Sequence, residues 1–591
     1  MTRHKPLTKD ELVALISDDS VCLGDIDTSE ITDMSGLFAY DGDQRIRKGG
    51  YAGIEKWNTS NVTDMSGMFR GCHDFNEPIG CWDTSNVESM CRMFMNANSF
   101  NQPIGQWNTS NVNEMTDMFH GAENFNQPLE KWDTSKVTDM SRMFAGAKEF
   151  NGSVASWNTA MVKSMKKMFA GAEKFNQEID NWDTSSVTKM SGMFQGAKKF
   201  NQRLDRWDTS RAVSMKRMFC SAKKFDQPIN SWDTSNVRSM KGMFDSAETF
   251  NQPLDHWDTS RVTNMSGMFS GARKFNQPLN NWDTSNVTTM SKMFSATEFF
   301  NQPLDQWDTS RVTNMSDMFC NAISFNQPLE KWNTARVTNM TFMFAYTAFN
   351  QSLNGWDTSR VADMSFMFYD ATCFNQPLDQ WDTSSVTNMS SMFRNAISFN
   401  QSLDSWNTSS VTSMQCMFAN ARSFNQDLNK WNTSRVTDMY GMFRKAFRFD
   451  GLISDWDVSR VTEMSGMFRE ALSFNRDIDG WDVSAVKHMK YIFSTAVSFN
   501  RSLDGWNVSG VTSMDGMFQN ADSFNQELSP WRPSNLASCK TMFAGAVSCS
   551  RYPASIAEAA ERNHADCRDM LTGTFIPKNK DKAQDGDRQT S

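Results

Sequence analysis

The 591-residue chain contains no apolar run near the roughly 18 residues that a membrane-spanning helix requires, which excludes such a span. It also lacks an excess of positive charge. Lys and Arg number 59 against 68 Asp and Glu, a formal net charge of −9, so no overall basic field draws in a nucleic acid. Histidine is sparse: His4, His73, His120, His256, His488 and His564 fall at different places, no pair has ligand-like spacing, and each is expected at the surface. The 11 cysteines are odd in number and show no paired spacing, so a disulfide framework is not expected and a reducing compartment is. The only apolar cluster near the start, residues 12–16, is too short for a signal-peptide core and follows acidic residues. On that ground the chain is expected to stay inside the cell. No Walker loop, dinucleotide fingerprint or nucleophile elbow occurs.

Aromatic and sulfur-bearing residues are abundant: 20 Trp, 45 Phe and 43 Met. All 20 Trp belong to one series, every 25 residues from Trp57 to Trp332 and again from Trp356 to Trp531. A single deletion precedes Trp356, where Phe344 and Phe349 stand five residues apart instead of six, and this marks a surface turn. A degenerate first unit has Ile26 where Trp belongs, giving 21 units in all.

Residues 257–280 represent the unit. Val262, Met265, Met268, Phe269 and Ala272 recur three or four apart behind Ser260, a pattern that predicts a short helix over 261–272. The segment Leu-x-x-Trp-Asp-Thr-Ser predicts a short strand, and the exchange of its Thr for Val458, Val483 and Val508 fits a pleated, half-buried surface. One short strand plus one short helix per 25 residues cannot bury an apolar face alone. The expected fold class is therefore an α/β repeat solenoid, leucine-rich-repeat-like, of about 21 coils with helical caps at both ends.

Polar columns obey the same repeat. Asn follows the second Phe in 17 units, replaced only by Asp226 and Asp450, and is read as a buried amide ladder in which each side chain donates and accepts. The position after Trp holds 12 Asp, seven Asn and finally Arg532. Stacked carboxylates could bridge calcium. Free exchange with Asn instead assigns them an oxygen that accepts a backbone N–H. Acidic residues two before Trp and basic residues four after it read as charge compensation on a solvated face. Because a residue present some twenty times serves the coil and not one reaction, no catalytic, cofactor-binding or metal-ligating residue is assigned, and no enzyme is expected.

Thr8 and Glu11 form a capping box that opens a helix from Lys9 to about Asp18. Residues 554–571 read as an amphipathic lid. The organisation expected is a capping helix in 1–21, repeats over 22–550, a second capping helix in 551–576, and a polar, disordered tail over 577–591.

The phrase Phe-Asn-Gln-Pro-Leu-x-x-Trp-Asp-Thr-Ser-x-Val-Thr-x-Met-Ser-x-Met-Phe resembles the 25-residue repeat of BspA-like leucine-rich-repeat surface proteins of the mycoplasma-lipoprotein type, over about residues 22–550. The stretch Met268-Phe269-x-x-Ala272-x-x-Phe275 also looks like part of the treponemal leucine-rich repeat. The resemblance implies a curved, strand-bearing solenoid and, since members are commonly cell-surface adhesins, a non-enzymatic scaffold binding a protein or glycan partner. Unlike those members, the chain is expected from its sequence to carry no lipobox cysteine or C-terminal anchor. A self-assembling structural rod is the alternative expectation.

Overall fold

The computed structural model describes residues 4–40, 49–549, 554–570 and 572, and the expected tail over 577–591 lies outside them. The chain divides into two compact units, Met1–Arg336 and Val337–Ser591. Within each, successive 25-residue repeats stack in register, joined by one parallel bridge per step, as in Asn264↔Thr289 of the first unit and Asp438↔Glu463 of the second.

The expected α/β architecture is not found. Among the described residues there are two α-helices, α1 (Lys9–Ser17) and α2 (Ala554–Arg562), and the bridges never lengthen into strands. The stretch expected as a helix, 261–272, is a chain of nested turns. Met268, Ser270 and Ala272 donate their N–H groups to the carbonyls three residues back, at 3.1, 3.2 and 2.9 Å. The alternating amides of Met265, Gly267, Phe269 and Gly271 reach instead to Thr289, Ser291, Met293 and Ser295 of the next repeat, at 2.7–3.2 Å. Every second N–H is thus spent on the neighbour, and no bond four residues back can form.

Gly267 and Gly271 show why the backbone accepts this arrangement. Their φ values of +60° and +67° are left-handed, which a right-handed helix forbids. The equivalent positions of the next repeat, Lys292 and Ala296, hold the same conformation at +59° and +56° without being glycine, so stacking enforces it. The Trp-bearing segment is no strand either. Trp257 donates its N–H to Leu254 and Val262 donates to Thr259, each closing a turn within the repeat. The bridge falls at Asn264, inside the stretch expected to be helical.

Side chains convert this backbone into a core. Val262, Met265, Met268, Phe269, Ala272, Phe275 and Leu279 are all fully buried. Phe269 packs on Phe275 at 4.0 Å between ring centroids, and on Phe294 of the next repeat at 5.8 Å with planes 9° apart. Trp232, Trp257 and Trp282 stack at 6.5 and 6.4 Å with planes 2° and 5° apart. Such offset parallel stacks contribute beyond their buried area. In the short repeat, the deleted residue removes a turn that neighbouring repeats show, yet Phe344 and Phe349 still pack at 4.2 Å.

At the start, Thr8 caps α1 by accepting the N–H of Glu11 at 3.3 Å, and Leu12 and Ile16 are buried. At the other end α2 stops at Arg562, short of the span read from sequence, because the chain turns back to form one more coil. Asp566 bridges to Ser538, Cys567 forms a disulfide with Cys539, and Met570 is buried. That cross-link corrects the expectation of unpaired cysteines: Cys539 occupies a Met position of the last repeat, so the closing coil carries its partner to the core.

Candidate functional site

The repeated polar residues are consumed by the stack itself. The Trp indole N–H typically donates to the carbonyl of the Leu, Ile or Val 28 residues earlier, as Trp257 does to Ile229 at 3.0 Å and Trp182 to Val154 at 3.1 Å; in the first Trp repeat, Trp57 reaches back to Leu23 at 2.9 Å. The buried Thr hydroxyl two residues later donates across the next step, Thr259 to the Asp283 carbonyl at 2.8 Å. Val458, Val483 and Val508 keep the methyl packing and forgo that bond, so the Thr-to-Val exchange reports burial and not a strand.

The Asn ladder also differs from its sequence reading. Oδ1 of Asn251 accepts the N–H of Asn276 at 2.9 Å, and Oδ1 of Asn276 accepts that of Asn301 at 3.0 Å. Asp226 performs the same service for Asn251 at 2.9 Å, so only an acceptor is needed, and the row lies at the margin of the core with its side chains partly exposed. After Trp, Oδ1 of Asp258 accepts the N–H of Ser260 at 2.9 Å in a tight Asx turn, repeated down the column. Hydrogen bonds from the Ser hydroxyl and backbone hold Asp83, Asp183, Asp233 and Asp283 below the usual carboxylate range, outweighing modest desolvation. No group of three or more metal-ligating side chains occurs among the described residues.

The histidines stay apart. His120 Nδ1 donates to the Asp117 carboxylate at 2.9 Å, in a network with Arg142 at 2.7 Å. Burial raises the pKa of Asp117, but hydrogen bonds from His120 and Arg142 outweigh it and leave the carboxylate low. Desolvation, then the nearby Asp317 carboxylate, pushes the Cys320 thiol up to about 11, which makes it a poor nucleophile at neutral pH.

Some departures from the repeat lie on the exposed side of the Val-x-x-Met-x-x segments. In the second unit Tyr440, Arg444, Gly466, Arg469, Lys490 and Tyr491 line a cleft of about 460 Å³ together with Glu463, Ser465 and His488. Backbone bonds align its three repeats with one another and with the next: Gly441 donates to Ser465, Gly466 to Lys490, and Tyr491 to Asp515, at 2.7–2.9 Å. Gly466 leaves an open floor between the tyrosines, while the Tyr491 ring lies where a Cβ on Gly516 would sit, only 2.3 Å away. The Arg469 guanidinium stands 5.3 Å from the Tyr491 ring centroid. The Nε atom of Arg444 is buried without a hydrogen-bond partner, and that of Arg469 is buried 3.5 Å from the Glu470 carboxylate. Glu463 is already engaged, accepting the Ser465 N–H at 2.6 Å.

This arrangement offers aromatic walls, the Arg444 guanidinium and one carboxylate, with Lys490 held by Asp515 at 3.3 Å and Arg469 by Glu470 at 3.5 Å, which suits polar groups more than a purely apolar ligand. Sequence reasoning left these residues unassigned, although a signal was present: Tyr440 and Tyr491 are two of only seven tyrosines and stand where the repeat between them carries Ser465 and Gly466.

Among the described residues no helix is long and apolar enough to cross a membrane. A comparison with curated proteins gives no match. Eight overlapping stretches, residues 15–131, 44–155, 120–228, 202–307, 245–354, 278–380, 346–456 and 446–555, match the family described as "Mycoplasma protein of unknown function, DUF285", and since together they take in most of the sequence, the chain belongs to that family.

Proposed function

We propose that this protein is a non-enzymatic recognition scaffold that binds a protein or glycan partner across the exposed side of its stacked repeats, with the cleft between Tyr440 and Tyr491 as a principal contact. The supporting observation is a division of labour. Residues common to the repeats are committed to internal hydrogen bonds and stacking, whereas this concave, aromatic-walled cleft is built with residues that depart from the repeat, Tyr440 and Tyr491. The likeness of the repeat to BspA-like surface proteins points in the same direction.

The test uses full-length protein on glycan and protein arrays beside the variant Tyr440→Ser, Lys490→Ser, Tyr491→Gly. Neighbouring repeats already carry Ser465, Gly466 and Gly516 at the corresponding positions, so the fold tolerates the change. Wild type should retain a defined subset of array features and the variant should lose them. Identical patterns would remove the cleft from the proposal. Concentration-dependent polymerisation without any array binding would favour a self-assembling rod.

A further inference from the structure

The net charge of −9 hides a strong local imbalance in the first unit. Segments 163–167, 188–192, 213–217 and 238–242 occupy the same place in four consecutive repeats, and they carry eight cations and no carboxylate. Lys163, Lys166 and Lys167 lie in the first, Lys189 in the second; Lys216 and Arg217 follow in the third, then Arg238 and Lys241 in the fourth. All eight are exposed. Among the described residues no ion pair engages any of their side chains, whereas nearby Lys174 and Lys198 pair with Glu149 and Glu173 at 3.0 and 2.8 Å.

Stacking turns these segments into a track. Lys167 donates its N–H to Ser191, Gly192 to Lys216, and Arg217 to Lys241, at 2.8–3.0 Å, and the underlying Phe169, Phe194, Phe219 and Phe244 step at 5.6–5.9 Å. The cations therefore form a narrow strip along the stacking direction, interleaved with Ser164, Ser191, Ser214 and Ser239. Exposed Asp183, Asp208 and Asp233 run as a separate row in the same repeats.

We propose that this strip binds a linear anionic polysaccharide bearing sulfate or carboxylate groups. A linear polymer can follow a strip of one sign along the stacking direction and meet a cation at each step. The strip exposes no aromatic ring on which a nucleobase could stack, and its only exposed large apolar side chain is Val213, too little for the apolar centre of a protein interface. The strip belongs to the first unit and its ligand is independent of the cleft in the second, so failure here leaves that reading standing.

The experiment measures binding of full-length protein to a heparin decasaccharide across a salt series. Its comparison is the triple variant Lys166→Ser, Lys216→Ser, Lys241→Ser, which restores the residue found at Ser141, Ser191 and Ser266. A control, Lys174→Ser, Lys199→Ser, Lys224→Ser, removes the same charge outside the strip. The strip variant should bind at least tenfold more weakly and flatten the salt dependence, since each lost contact releases fewer counterions; the control should change less than twofold. Equal weakening by both variants, or no binding by wild type at low salt, overturns the proposal. Tighter binding of a decauridylate or of phosphatidylserine vesicles than of the oligosaccharide would reassign the strip to nucleic acid or membrane and overturn it as well.

Discussion

Trp232 offers a direct test of how the stack is held together. It is 2% exposed, stacks on Trp207 and Trp257 at 6.4 and 6.5 Å, and packs against Phe219 at 6.0 Å. Its indole N–H donates to the Leu204 carbonyl at 2.9 Å. Burying an aromatic side chain of this kind removes about 150–250 Å² from water, worth about 4–6 kcal/mol at ~25 cal/mol per Å². Partial relaxation of the cavity brings the expected cost of Trp232→Ala to about 3–5 kcal/mol. Trp232→Phe keeps most of the stack and loses the donor. Because the Leu204 carbonyl also accepts the Trp207 N–H at 3.3 Å, that loss should add only about 1 kcal/mol, and the smaller ring a similar amount. Urea unfolding gives the total, and hydrogen exchange by peptide locates it: protection should fall in residues 204–257 before it falls near Trp57, since each repeat leans on its immediate neighbours. The reasoning fails if Phe costs as much as Ala, or if protection is lost evenly across the first unit.

Three further outcomes follow from the polar columns and the thiols. Asn276→Asp should stay within about 0.5 kcal/mol of wild type in urea unfolding, whereas Asn276→Ala should cost about 1–2 kcal/mol, because the position needs an acceptor for the Asn301 N–H and not a donor. The Asx-turn carboxylates Asp83, Asp183, Asp233 and Asp283 have lowered pKa values, so their stabilisation is present above the unfolded value of about 3.9 and is lost as pH falls through the folded values; the urea midpoint should drop below about pH 4, and changing these four to Asn should reduce that drop. Iodoacetamide followed by peptide mapping at pH 8 should label exposed Cys22, Cys81 and Cys373 well before Cys320, whose thiol is pushed up to about 11; equal rates would contradict its desolvation.

The primary structure by itself determined the period, the apolar columns and the residues that repeat for structural reasons. Twenty tryptophans at one spacing can share a core only by stacking, and exchange of Asp with Asn already marked the position after Trp as an oxygen acceptor. Backbone conformation was not legible. Apolar residues three and four apart serve a helix and a run of three-residue turns equally well, and the choice fell to left-handed residues such as Lys292 and Ala296, which neighbours hold in place and no local preference announces. Convergence was likewise a tertiary outcome. Tyr440 and Tyr491 are 51 residues apart along the chain, yet two stacking steps bring them to one cleft, and Cys539 finds Cys567 only because the chain turns back after α2. The physical reason is common to all of these: composition and period say which groups must be buried or paired, but the partner of each N–H and the neighbours of each side chain exist only once the repeats lie on one another.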